Sequence, residues 1–147
     1  MPQPTAAVRV ERIPGAARIP LPQRATTGSA GFDLCAAETV DLRRGRISIV
    51  RTGLKLRAPA GTFLEVRPRS GLSSKGVQMV NAPGTIDRDY PGEVCVILTY
   101  LLSGSYRIEV GDRIAQVRVV EDLPTKFRSG PVRRSSSRRG GFGSTGR

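Results

Sequence analysis

Short alternations of apolar and polar residues, broken every few positions by glycine or proline, limit this chain more than any other feature. Between Val40 and Arg57 the apolar residues Ile47, Ile49, Leu54 and Leu56 alternate with polar ones, the period of a strand with one buried face. This predicts two strands joined near Arg51 to Gly53, and Phe63 to Arg67 continues the pattern. Val8 to Ile13 reads as a short strand, after which Pro14, Pro20 and Pro22 exclude a helix. Glu93 to Leu102 and Tyr106 to Val120 supply further strands, separated by Ser-Gly-Ser and interrupted at Gly111-Asp112. Only Arg69 to Gly76 has a weak helical stripe, and Gly71 and Gly76 hold it to a turn or two. The predicted class is all-β, many short strands in a sandwich, barrel or jelly roll.

A chain of 147 residues is most simply one domain, long enough to bury a real core. Apolar residues make up 38% of it, and no run approaches the ~20 residues needed to cross a bilayer. A soluble protein without a membrane partner is expected. The start, Met-Pro-Gln-Pro-Thr-Ala, lacks the basic, apolar and small-residue regions of a secretory signal, so a cytoplasmic location is expected. The absence of histidine excludes Ser-His and Cys-His nucleophiles and the His-Glu-x-x-His zinc site, leaving carboxylates for acid–base work. Cys35 and Cys95 lie far apart and outside any Cys-x-x-Cys spacing. They read as small buried side chains, not as a disulfide framework or zinc site.

The formal charge of +12 is unevenly spread: Lys126, Arg128, Arg133, Arg134, Arg138, Arg139 and Arg147 fall in the last 22 residues, where there is no acid. That segment is Arg-, Ser- and Gly-rich with few apolar residues to bury. Residues 1–125 are therefore expected to form the β domain and 126–147 a flexible basic arm. Such an arm suggests a polyanion partner, nucleic acid by default or nucleotide phosphates as the sharper reading.

Five stretches carry chemistry. Asn81 to Glu93, N-A-P-G-T-I-D-R-D-Y-P-G-E, has turn formers at both ends and β-formers Thr85 and Ile86 between, and predicts a tight hairpin. Asp87 at its return, near Tyr90, is either a carboxylate that activates water beside a bound ring or part of an acidic turn over a core tyrosine. In S-A-G-F-D-L, Asp33 points opposite to Phe32 and Leu34 if extended, as a turn cap or a ligand. Arg69, Ser70 and Gly71 place a guanidinium, a hydroxyl and a free amide in succession, a donor set for phosphate or simply a solvated loop. In G-D-R-I-A-Q-V-R-V, Ile114 is expected on one strand face with Arg113, Ala115 and Val117 on the other, while Gln116 binds a ligand or sits at the edge. The last, G-G-F-G-S-T-G, leaves Phe142 no core to join, so a base is its natural stacking partner.

The five stretches, in this order and at this approximate spacing, resemble the five motifs of the trimeric dUTP nucleotidohydrolases, the dUTPases, from Ser29 to Gly146. The resemblance implies a jelly-roll-like subunit, a homotrimer whose three active sites are each shared by all three chains, and hydrolysis of dUTP to dUMP and pyrophosphate with Mg2+. It makes Asp87 the general base for water attack on the α-phosphorus and Asp33 the acid that holds magnesium through water. Arg69, Ser70 and Gly71, with Gln116, would cradle the phosphates, and Tyr90 would pack under the deoxyribose and exclude a 2'-hydroxyl. Asn81 and the backbone of Gly84, Thr85 and Ile86 would read the uracil edge. From the arm, Phe142 would stack on uracil, with Gly143 and Ser144 beside the substrate.

Arg88, Pro91 and Ser73-Ser74 depart from the pattern only at the rim. The arm departs more. The family's phosphate-binding arginine lies five residues before the aromatic, where this chain has Ser137; Arg138 and Arg139 stand four and three before Phe142. A residue of extended chain covers ~3.3 Å, a deficit the flexible arginine spans more easily once than twice, so Arg138 is the candidate for the γ-phosphate. With the arm engaged on substrate, nucleic acid is not an expected partner. The alternatives are a dCTP deaminase of the related fold and a non-catalytic regulatory or nucleic-acid-binding module. The Asp-Arg-Asp-Tyr segment argues against the first and joint retention of Asp33, Ser70, Asp87 and Tyr90 against the second.

Overall fold

The computed structural model describes residues 5–133. Within them the chain forms strands β1 (Arg9–Arg12), β2 (Phe32–Cys35), β3 (Val40–Arg43), β4 (Ser48–Arg51), β5 (Leu54–Arg57), β6 (Thr62–Arg67), β7 (Val77–Met79), β8 (Gly84–Ile86), β9 (Cys95–Tyr100), β10 (Ser105–Ile108) and β11 (Arg113–Glu121). The single helical turn, α1 (Ser70–Ser73), falls in the one window with a weak helical stripe. Every named strand pair is antiparallel. The sheets run β1-β5, β10-β3, β2-β11-β6-β8 and β4-β9-β7, and their inner faces bury one core that includes Leu34, Leu42, Val50, Leu54, Leu64, Val96, Leu98, Ile108 and Ile114.

Three expectations need correction. Val40 to Arg57 makes three strands: Gly45, with φ +73°, takes the left-handed turn between β3 and β4 that only glycine adopts freely. The alternation there is real, and Leu54 and Leu56 of β5 are buried as it predicts, but in β4 its phase is reversed. Val50 is fully buried, whereas Ile47 and Ile49 are 66% and 64% exposed, because a period of two specifies that one face is buried without saying which.

Asn81 to Glu93 is not a self-paired hairpin. β7 pairs with β9 and β8 with β6, so the chain crosses between two sheets at residues 80–83. The third correction lies in β11, where Ile114 and Ala115 are both buried and do not face opposite ways. The register against β2 slips between Arg113 and Ala115, and the irregularity turns two successive side chains inward. Cys35 is buried and Cys95 half-buried, both unpaired; burial is the largest cause pushing each thiol above its ordinary pKa.

Candidate active site

β11 sits between β2 and β6, and its register sets Gln116 opposite Asp33 on one side and Arg67 on the other. Residues aligned across a sheet share a face, so a carboxylate and an amide 83 positions apart in sequence come side by side. The chain leaves β6 through Pro68 and Arg69, and α1 brings Ser70 and Gly71 over the same spot. The result is a small polar cleft of about 190 Å³ lined by Asp33, Arg69, Ser70, Gly71 and Gln116, with Gly31 beside them.

The cleft's charges are already arranged. The two oxygens of Asp33 accept from Arg69 Nε at 2.9 Å and from Arg113 Nη1 at 3.3 Å. Arg69 Nη1 also donates to the carbonyl of Arg113 at 3.2 Å, and Gln116 Nε2 donates to the carbonyl of Pro68 at 3.0 Å. Side-chain exposure is 17% for Asp33 and 25% for Arg69. Partly withdrawn from water, the Asp33–Arg69 pair holds its geometry better than a surface pair does, whereas Arg113 is exposed. The cleft therefore offers guanidinium, hydroxyl, amide and backbone N–H donors with one carboxylate among them, a composition suited to phosphate oxygens. Arg113, expected only as a face residue of its strand, is a second partner of Asp33. Its adjacency to Ile114-Ala115-Gln116 was visible in the sequence, but its reach to Asp33 depends on the slip in register.

A second group of predicted residues lies elsewhere on the same sheet. Gly84 is buried opposite Val66, Thr85 is exposed opposite Glu65, and Ile86 is half-buried opposite Leu64. Asn81 is exposed and its Nδ2 lies close to Gly84. Asp87 follows β8 and is exposed; its carbonyl accepts from Tyr90 N at 3.1 Å, closing a turn. The Tyr90 hydroxyl donates to the carbonyl of Glu93 at 3.1 Å while the residue remains 44% exposed. Tyr90 is accordingly not a core tyrosine.

The structure brings Asp33, Arg69, Ser70, Gly71 and Gln116 together but does not bring Asp87 or Tyr90 to them. Continuing the β6–β8 register puts Asp87 level with Phe63, four residues along the strand from the row containing Asp33, or about 13 Å. The two acids are also three strands apart, which adds about 14 Å sideways. Their backbones are thus separated by about 20 Å within one chain. Arg138, Arg139, Phe142, Gly143 and Ser144 lie outside the described residues. An apolar cavity of about 280 Å³ between Val8, Val10, Leu21, Phe32 and Leu56 shares no lining residue with the polar cleft.

Among the described residues no three His, Cys, Asp or Glu side chains converge as metal ligands. Asp33 is the one carboxylate lining the cleft. That donor set does not fit a metal cage built of protein alone. It fits a hard divalent cation carried mainly by phosphate oxygens and water and steadied by one carboxylate.

The sequence matches the dUTPase family over residues 17–146. The deoxyuridine 5'-triphosphate nucleotidohydrolase of Caulobacter vibrioides (strain NA1000 / CB15N) is 43% identical over 155 aligned positions, covering 95% of this chain and 94% of that protein. The fold is similar to that of a dUTPase variant of Staphylococcus bacteriophage 80alpha with dUpNHpp, at a TM-score of 0.84 and 27% identity, covering 97% of this chain and 99% of that one. It is also similar to a dUTPase variant from phage phi11 of S. aureus that coordinates a structural Mg(II) ion, at a TM-score of 0.76 and 22% identity over 84% and 96% of the two chains. The all-β, jelly-roll-like subunit expected from the motifs is the fold observed.

Proposed function

Because the chain belongs to the dUTPase family, we propose that it hydrolyses dUTP to dUMP and pyrophosphate, which limits uracil available to DNA and supplies dUMP for thymidylate synthesis. The observation that carries the reading is the cleft in which Arg69, Ser70, Gly71 and Gln116 surround Asp33. A purified sample incubated with each deoxynucleoside triphosphate and Mg2+ should release pyrophosphate from dUTP alone and no ammonia from dCTP. Ammonia would point to the deaminase, and no product from any nucleotide to a non-catalytic module.

In the proposed mechanism Asp87 accepts a proton from a water whose oxygen attacks the α-phosphorus, and the bond from that phosphorus to the bridging oxygen breaks, releasing pyrophosphate. With no histidine in the chain, a carboxylate is the available base. Arg69 and Ser70 bind the phosphate chain together with the Gly71 amide and Gln116. Arg69 is held by Asp33 before substrate arrives, so entry of the phosphates lets the guanidinium exchange one anion for another. Asp33, the one carboxylate lining the cleft, is the residue that would hold a Mg2+ there through water. When bound, that ion neutralises phosphate charge and steadies the leaving pyrophosphate.

Uracil is read by Asn81 and the backbone of residues 84–86. A donor toward O4 opposes the amino group of cytosine, and a close backbone leaves no room for the methyl of thymine. Tyr90 packs under the sugar, where a 2'-hydroxyl would clash. From the arm, Phe142 stacks on the base, Gly143 and Ser144 lie beside the nucleotide, and Arg138 contacts the γ-phosphate.

The working unit in this reading is a homotrimer with shared active sites. Asp87 must reach a water beside the α-phosphorus, and its backbone stands about 20 Å from Asp33 of the phosphate cleft within one chain. In this reading the segment 81–90 of one chain faces the phosphate cleft of a second, and the arm, residues 126–147, comes from a third. Exposed Ile47, Ile49, Leu123 and Phe127 supply apolar surface for such contacts. Residues 122–133 carry no strand or helix and are exposed, as a segment seated on another copy would be when seen alone. A cytoplasmic location belongs to the same proposal; among the described residues no helix is long and apolar enough to cross a membrane.

A further inference from the structure

Gly31 lies outside the predicted phosphate contacts, yet its missing side chain determines where one of them can sit. Gly31 precedes β2 by one residue and lies two residues from Asp33, on the same face. Gln116 stands directly opposite Asp33, so Gly31 is its diagonal neighbour across the β2–β11 pair, within reach of a long side chain. A Cβ built on Gly31 would collide with Gln116 Oε1 and lie 3.0 Å from its Cδ and 3.1 Å from its Cβ. The whole length of the glutamine therefore runs over the bare backbone of Gly31. Exchanging the amide's oxygen and nitrogen would not relieve the overlap, since Cδ and Cβ crowd the same position.

The other end of the glutamine is also held. Nε2 spends one hydrogen on the Pro68 carbonyl at 3.0 Å, which leaves its second hydrogen as the donor it can offer the cleft. Oε1, the atom that would repel a phosphate oxygen, is the one laid against Gly31. Glycine on one side and the Pro68 carbonyl on the other thus set both the position of the amide and which of its polar atoms is turned away.

We infer that Gly31 is a positioning residue for the phosphate site: by having no side chain it seats Gln116 with a donor toward the cleft. This rests on the reading of that cleft as the phosphate site. A side chain at position 31 requires Gln116 to shift, its Oε1 most of all, and so moves the amide from the place it holds between Pro68 and the cleft, even though the new side chain touches no substrate itself.

The test is a double-mutant cycle in the full-length enzyme, with dUTP affinity and the separate values of KM and kcat as readouts. Gln116→Ala should weaken dUTP binding by about tenfold or more, the usual cost of a charge-assisted hydrogen bond. Gly31→Ala should weaken it comparably, mainly through KM, because Asp87 and Tyr90 are untouched. The combined variant should be no worse than Gln116→Ala alone, since the residue through which Gly31 acts is already gone. If Gly31→Ala folds poorly, adding Gln116→Ala should recover its thermal stability, because truncation removes the two atoms nearest the new methyl.

Normal dUTP binding in Gly31→Ala, or losses that multiply in the combined variant, would overturn the inference while leaving the phosphate reading standing. A Gly31→Ala that folds poorly and is not recovered would also overturn it. No effect of Gln116→Ala on any phosphate-bearing ligand would overturn the phosphate reading, and the inference with it.

Discussion

Asp87 is exposed at the end of β8, so removing its charge disturbs no packing and isolates its chemistry. Asp87→Asn should keep the fold and the affinity for dUTP while turnover falls about 10²- to 10⁴-fold, the usual cost of losing a general base. Pyrophosphate release measured beside a binding titration checks both halves, and near-normal turnover would remove Asp87 from the mechanism. The arm arginines make a second prediction at this scale. Arg138→Ala should cost about 1.5–3 kcal/mol in dUTP binding, as for a charge-assisted contact to phosphate. It should cost nothing in dUMP binding, because only the triphosphate carries the contacted group. Titrating both ligands against Arg138→Ala and Arg139→Ala decides the register. Loss confined to Arg139→Ala would put the γ-phosphate contact one residue later, and loss in neither would assign the basic arm to another partner.

At the scale of elements, the segment carrying Asp87 and Tyr90 depends on how its far end is tied down. The tie is a short staple between residues 52–54 and 93–94. Thr52, fully buried, donates from Oγ1 to the carbonyl of Val94 at 2.6 Å and accepts from Leu54 N. Val94 N donates to the carbonyl of Leu54 at 2.8 Å, and Glu93 Oε1 accepts from Gly53 N at 2.7 Å. Thr52→Val keeps the shape but leaves a buried carbonyl without its donor, which costs about 1–3 kcal/mol. Calorimetry should show Tm lower by about 3–10 °C, and an unchanged Tm would mean that the staple is redundant. The elements also show the limits of pattern. Strand existence was legible from β-formers between glycines and prolines. The inward phase of β4 was not, because Ile47-Ser48-Ile49-Val50 offers two alternating faces and only packing chooses between them.

For the whole molecule, the distance of about 20 Å between Asp87 and Asp33 supports the proposed shared-site trimer and gives that proposal a direct test. Asp33→Asn and Asp87→Asn should each be nearly inactive alone. Co-expressed, they should form mixed trimers with some sites that draw an intact Asp33 and an intact Asp87 from different chains, so activity should reappear. If light scattering gives a trimer but mixed preparations stay inactive, the site is not shared in this way, and a fully active monomer would dispose of the trimer altogether. By itself the sequence determined the all-β class, the absence of imidazole chemistry, and the family through the order of its motifs, since these depend on residue type and local spacing. Only the tertiary structure decided that Gln116 faces Asp33, that Arg113 pairs with that carboxylate, that Gln116 lies against the bare backbone of Gly31, and that Asp87 stands about 20 Å from Asp33 within one chain. Those facts depend on strand register and sheet order, which are set by long-range packing between segments that local patterns do not connect.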